Sequence, residues 1–451
     1  MSNIFAISDL AVERWVEINP LDAVGAGFVR QPARWPDYTP AGHDQARAAY
    51  AELLDTAASC DTETADEALA KLVLVDELAS AIEEIDDQRY TWDLNNLASP
   101  WQSFGLGFDL CEKETDADWE AIAHLLETLP AALDGFLQSL ALGIELGFPP
   151  AKRQVAIAIE QGRNYEGENS PLAALVRDYD LGDPEITARL NAAATTARAG
   201  FATATDWLEQ TLFPAARDDD GVGEARYAAE VKRFLGTELD LRATYDWAWT
   251  EIASLTERLT ELTRQIDSTK TTVEVMELLK TDPSRAAHGV DDFLRTMQER
   301  QQTALENLAG VHFDVPDAIR TIAVKAPPEG GATAAYYTGP SADFSRPGCV
   351  WYPIYGRTSF PLYDEVTTAY HEGFPGHHLQ IGFARTLSDR LSQFHQLFVW
   401  HPGSGEGWAS TPSASWASLA ISNFLTTRSV SLRHSYFARA APSSTLASIL
   451  V

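Results

Sequence analysis

The chain has 451 residues, 45% hydrophobic and 22% charged, a profile that excludes chain-wide disorder and allows two or three packed units. Sixty-five acidic residues against 34 basic ones leave a formal charge of −31, a surface that repels nucleic acid and anionic lipid. The three cysteines, Cys60, Cys111 and Cys349, are too few and scattered for a disulfide framework or a Cys-type zinc site.

The N-terminal stretch MSNIFAISDLAVERW carries neither the basic nor the apolar segment of a signal peptide. No apolar run reaches the roughly 18 residues of a membrane span. A soluble cytoplasmic protein is expected. From there to about residue 310 the chain reads as helix. Segments 45–57, 67–85 and 118–142 place apolar residues at three- and four-residue spacing and are rich in Ala, Leu and Glu. Pro and Gly at 147–150 and 182–184 read as breaks between helices. Leu255, Leu259, Leu262 and Ile266 carry the same period through a charged stretch, and Val290–Leu308 follows. The pattern predicts helix-on-helix packing, since too few heptads are sustained for a coiled coil.

The texture changes near Val311. Alternating and β-branched residues over 311–326, then a stretch to Pro361 rich in Pro, Gly, Ser and aromatics, predict short strands and ordered loops around 311–360. A helix is expected to restart over 363–371, with Asp364 and Glu365 favourable at its N-terminus. Three of the ten histidines then fall within eight residues, in Tyr370-His371-Glu372-Gly373-Phe374-Pro375-Gly376-His377-His378-Leu379-Gln380. Histidine is the commonest zinc ligand, and a Glu beside a ligand can serve as general base on water at the metal. The common H-E-x-x-H motif fails, because position i+4 is Pro375. On an unbroken helix His371 and His377 would lie about 9 Å apart along the axis. Shared ligation therefore requires a bulge or break, which Pro375-Gly376 would supply. The spacing alone leaves open a polar loop with surface histidines.

Three ordered motifs resemble the bacterial family known as domain of unknown function 885. One is H-E-x-x-P-G-H-H-L-Q, from His371 to Gln380. It is preceded by Y-Y-x-x-P-x-x-D-x-S-R-P-G, carried by Tyr336, Tyr337, Pro340, Asp343, Ser345, Arg346, Pro347 and Gly348. It is followed by E-G-W-A, at Glu406, Gly407, Trp408 and Ala409. The likeness covers about residues 1–409. It implies a mainly α, gluzincin-like metallopeptidase scaffold with a small β element near 311–360, cutting a peptide or small amide with Zn²⁺. On that reading His371, His377 and Glu406 hold the metal and Glu372 is the general base. His378 competes with His377 as ligand or holds a ligand from behind. Tyr337 and Arg346 stabilise an oxyanion, grip a substrate carboxylate, or are structural. A helical binding or scaffold protein with incidental histidines is the reading from another class.

Residues 409–451 break from this composition, with no Asp, Glu or Lys and eleven Ser in 43 residues. The family continues E-G-W-A with L-Y-A-E and a long helix; here Ser410-Thr411-Pro412-Ser413 follows. Back-translation with a one-base shift reads L-Y-A-E-R-L-M-G-E-L-G across 410–420. A frameshift near Ala409 is therefore expected, giving three regions: helical 1–310, a β/loop and zinc-motif region 311–408, and an out-of-frame 409–451. A genuinely divergent Ser-rich tail is the alternative. Loss of the family's downstream elements predicts a loosely supported first shell and an impaired or inactive enzyme.

Overall fold

The computed structural model describes residues 3–415 apart from 30, 31, 33 and 328–333. The architecture is mainly helical, with two small sheets. Periodicity located the long helices well: Pro40–Ala58, Ala65–Asp86, Asp116–Glu145 and Val290–Leu308 cover the segments read as helix. Their starts are fixed by side chains. Thr64 with Glu67, and Thr115 with Asp118, form reciprocal capping boxes that satisfy the free N–H groups of the first turn. The 147–150 and 182–184 breaks fall between helices, as Glu145 ends one and Lys152 begins the next, and Pro184 opens Pro184–Trp207.

Two compact units emerge. One comprises the chain up to Asp220 together with Ser388–Val399. Its largest core lies along the paired Asp116–Glu145 and Pro184–Trp207 helices, where Trp101, Phe104, Trp119, Phe136 and Phe201 are all but fully buried. Pro130 falls inside the longer helix, and Gly200 faces it with no room for a side chain. No helix among the described residues is long and apolar enough to cross a membrane.

The other unit comprises Gly221–Pro327, Ala332–Leu387 and the chain from Trp400. The division falls near residue 220 instead of 310, because the helices from Glu224 to Leu308 share a unit with the strands and the histidine segment. Five strands occur among the described residues, β1 (Ala286–His288), β2 (Ile322–Lys325), β3 (Tyr336–Thr338), β4 (Gly348–Trp351) and β5 (Ser359–Pro361). β2 runs parallel to β4 and β3 antiparallel to it, with Val324 and Tyr337 both opposite Val350. β1 pairs antiparallel with β5. It lies upstream of the expected β region, since three residues of partner-imposed extension leave no period to read. The Val290–Leu308 helix buries Phe293, Met297, Ala304 and Leu308 against Val350, Tyr352, Phe360 and Phe374.

The Pro402–Ser415 helix runs through Ala409, which is fully buried, and six residues beyond it. Residues 416–451, and with them most of the expectation of an out-of-frame tail, lie outside the described residues.

Phe293 stacks on Phe360 at 4.3 Å between ring centres and meets Tyr352 edge-on at 5.1 Å. Phe293→Ala should therefore cost about 3–5 kcal/mol through lost transfer energy and the cavity left behind. The denaturant midpoint of the second unit measures this, and exposed Val273→Ala is the control expected to leave it unchanged.

Candidate metal centre

The expected interruption of the histidine helix is present. One helix, Leu362–Glu372, ends after His371 and Glu372, and the next, His377–Arg385, begins on His377. Gly373–Gly376 turns the chain between them, with a cis Phe374–Pro375 bond. A side chain at Gly376 would lie 1.9 Å from the His371 carbonyl oxygen and 2.5 Å from that of Tyr370, so only glycine fits. Gly376 N–H donates to the Tyr370 carbonyl at 3.0 Å and His378 N–H to that of Gly373 at 3.2 Å. The turn folds the second helix back, and the His371 and His377 rings meet edge-on with centres 4.8 Å apart.

Glu406 comes from the Pro402–Ser415 helix. Its carboxylate lies 3.0 Å from His371 Nε2 and 3.6 Å from His377 Nε2. One ligand atom from each of the three residues falls within 4.8 Å of the others, the one such grouping among the described residues. Two imidazole nitrogens and a carboxylate oxygen converging on one point fit a zinc-type cation with a position left for water. His377 is buried, His371 partly so, and Glu406 exposed, so the site opens on the Glu406 side. Glu372 stands beside it, its Oε1 4.0 Å from His371 Nε2.

The charges favour this arrangement. The contacts with His371 and then His377 pull the Glu406 carboxyl down to about 2. Burial works against protonation of His377, but Glu406 and Glu372 outweigh it and the net shift is upward. Burial raises the Glu372 carboxyl, against the opposing pull of the two histidines. A carboxyl with raised proton affinity next to a ligand is what proton transfer requires.

The remaining predicted residues stand apart from the ligand cluster. His378 is fully buried; its Nε2–H donates to the Ile319 carbonyl at 2.7 Å, and its Nδ1 accepts from Tyr337 Oη at 2.9 Å. Both nitrogens are occupied, and burial lowers the imidazole to about 4, so it is a neutral structural group here. Tyr337 is committed to that contact. Arg346 Nη1 donates to the Gly339 carbonyl at 3.2 Å.

Two positioning roles were not assigned from sequence, although Trp408 belongs to the E-G-W-A motif. Gln301, fully buried on the Val290–Leu308 helix, donates from Nε2 to the Ala369 carbonyl at 2.6 Å and accepts the Phe374 N–H on Oε1 at 2.8 Å. Its Oε1 replaces the helical acceptor that Phe374 N–H has lost, while its Nε2 adds a second donor at a carbonyl that already accepts from Gly373 N–H. The available signal was a polar residue on an apolar stripe, Phe293, Met297, Gln301, Ala304 and Leu308. Trp408 is the second. Its Nε1–H is shared between the carbonyls of Pro375 and Gly376, at 3.0 and 3.2 Å. Glu406 is thus tied to the helix break two residues downstream. The expected loosening of the first shell by the altered continuation meets this local anchor, which lies before the composition change.

The chain belongs to a family described as bacterial proteins of unknown function (DUF885), whose model matches residues 20–410. Among solved structures it is similar to a "putative lipoprotein" from Colwellia psychrerythraea, with a TM-score of 0.84 and 17% identity over 98% of this chain and 82% of that one. It is also similar to a "putative lipoprotein of unknown function" from Shewanella oneidensis, with a TM-score of 0.66 and 15% identity over 98% and 83% of the two chains. At such identities the likeness establishes the fold alone. No curated protein matches the chain.

Gln301→Leu should strand the buried Phe374 N–H and cost about 2–3 kcal/mol. Because it releases the turn between the histidines, it should also weaken metal retention in equilibrium dialysis. The exposed neighbour Gln302→Ala should change neither.

Proposed function

We propose that this chain is a zinc-dependent hydrolase of peptides or small amides, on a gluzincin-like scaffold. The observation that carries the reading is the convergence of His371, His377 and Glu406 beside a buried Glu372. His371 and His377 would hold the ion through Nε2, each the ring nitrogen nearest Glu406, and Glu406 would supply the third ligand. Bound zinc supplies Lewis acidity at a scissile carbonyl and acidifies water.

The protein's own groups do the rest. Glu372 accepts a proton from the attacking water, and its raised proton affinity keeps that proton available for the departing amine. His378 and Tyr337 hold the start of the second helix against Ile319, so that His377 keeps its orientation. Trp408 holds the helix that carries Glu406. The strongly acidic composition disfavours nucleic acid as a substrate; peptides and small amides are the class that the family resemblance implies.

The composition break after Ala409 favours a second reading, a family member that binds metal and turns over slowly or not at all. Metal content and turnover separate the two. A cytoplasmic location is proposed for the chain; a lipoprotein, as the two structural neighbours are described, is the alternative. Fractionation of the producing bacterium distinguishes these.

Purified protein should carry about one zinc per chain. His371→Ala should lose it; equal zinc in both proteins would remove the assignment. Glu372→Gln should retain the metal, since the amide matches the carboxylate in size, and lose hydrolysis by about 100-fold or more. Assay of zinc content and peptide turnover on the same samples reads both outcomes.

A further inference from the structure

Away from the histidines, two guanidinium groups converge on one glycine. Arg385, the last residue of the second histidine helix, is only 8% exposed. A methyl group at Gly339 would come within 3.1 Å of Arg385 Cζ and 3.2 Å of its Nη1, so this guanidinium lies directly over the Gly339 backbone. Arg346 reaches the same glycine through its carbonyl. Arg385 Nε and Nη1 find no acceptor among the described residues. Neither arginine pairs with a carboxylate there. The other polar neighbour, Tyr337, has its hydroxyl committed to His378.

An arginine does not shed its proton at neutral pH. Burying one beside a second positive charge is strongly unfavourable unless a negative group compensates it. Two unsatisfied donors, a second cation and a floor without a side chain describe a cradle for a small acceptor. The β3–β4 loop that carries Arg346 is held in shape from within. Asp343 accepts from the Ser341 hydroxyl at 2.6 Å and from the Ser345 hydroxyl at 2.8 Å, and Ser341 Oγ accepts the Arg346 N–H at 2.9 Å. Asp343 makes these bonds within the loop, and no ion pair joins it to either arginine among the described residues.

We propose that a small monovalent anion, either chloride or a carboxylate, binds between Arg385 and Arg346 over Gly339. The anion completes the charge balance of this part of the second unit. The proposal is independent of the zinc reading, because none of its residues belongs to the metal cluster.

The test is thermal unfolding of the full chain at constant ionic strength, with isethionate replaced stepwise by chloride in one series and by acetate in another. A saturable rise in midpoint is expected, about 5 °C at ~100-fold excess over the dissociation constant. Arg385→Gln should abolish it. A response to chloride alone identifies a halide site, and one to acetate alone a carboxylate site. Should Arg385→Gln fail to fold, Arg346→Gln and a bromide-soaked crystal serve instead, with anomalous density expected between the two guanidinium groups. Compensation from inside the chain would leave the wild type indifferent to the anion. Indifference of the wild type, an equal response in the variants, or no bromide at the site each overturns the proposal.

Discussion

The second unit depends on one interruption of helix geometry. Residues six apart on a continuous helix lie about 9 Å apart along the axis, too far to share one ion. Gly373–Gly376 removes that separation by turning the chain back, and Gly376 does so where any side chain would strike the His371 carbonyl. A break of this kind normally leaves backbone groups unpaired and buried. Gln301 takes up that role from a neighbouring helix, with one amide oxygen and one amide nitrogen placed on the two sides of the gap. The site is thus organised by backbone hydrogen bonding before any ligand chemistry begins.

Attachment of the third helix follows from the same turn. Carbonyls of Pro375 and Gly376, at the turn, accept the indole N–H of Trp408. The approach is close because the helix carries small residues where it meets its neighbours. A side chain at Gly405 would strike the Trp400 ring, and one at Gly403 would strike Leu235. Trp400 in turn meets His377 edge-on at 5.5 Å. Glu406 reaches both histidines as a consequence of this packing. Hydrogen bonding to the two imidazoles pulls its carboxyl down to about 2, and the carboxylate in turn shifts His377 upward.

The buried side of the second histidine helix carries a different kind of polar chemistry. His378 is neutral and doubly hydrogen-bonded, whereas Arg385 at the other end is charged and unsatisfied. Successive residues His377 and His378 therefore have opposite roles, one at the cluster and one in the core. Their local sequence, two adjacent histidines, contains nothing that ranks them.

Most of the helical architecture was legible in the sequence. Apolar spacing and proline–glycine punctuation are local properties, and the spacing located Val290–Leu308 without error. The convergence of His371, His377 and Glu406 was expected from resemblance to a family more than from spacing, which left the alternatives open. Tertiary structure alone decided which histidine faces Glu406, because a turn of four residues sets the rotation of the helix that follows. It alone gave Gln301 and Trp408 their tasks, since each hydrogen-bonds a backbone group more than thirty residues distant. The placement of β1 and the unit boundary near residue 220 were equally non-local. Sequence fixes what each short segment can become; long-range pairing of backbone and buried charge selects which of those states coexist.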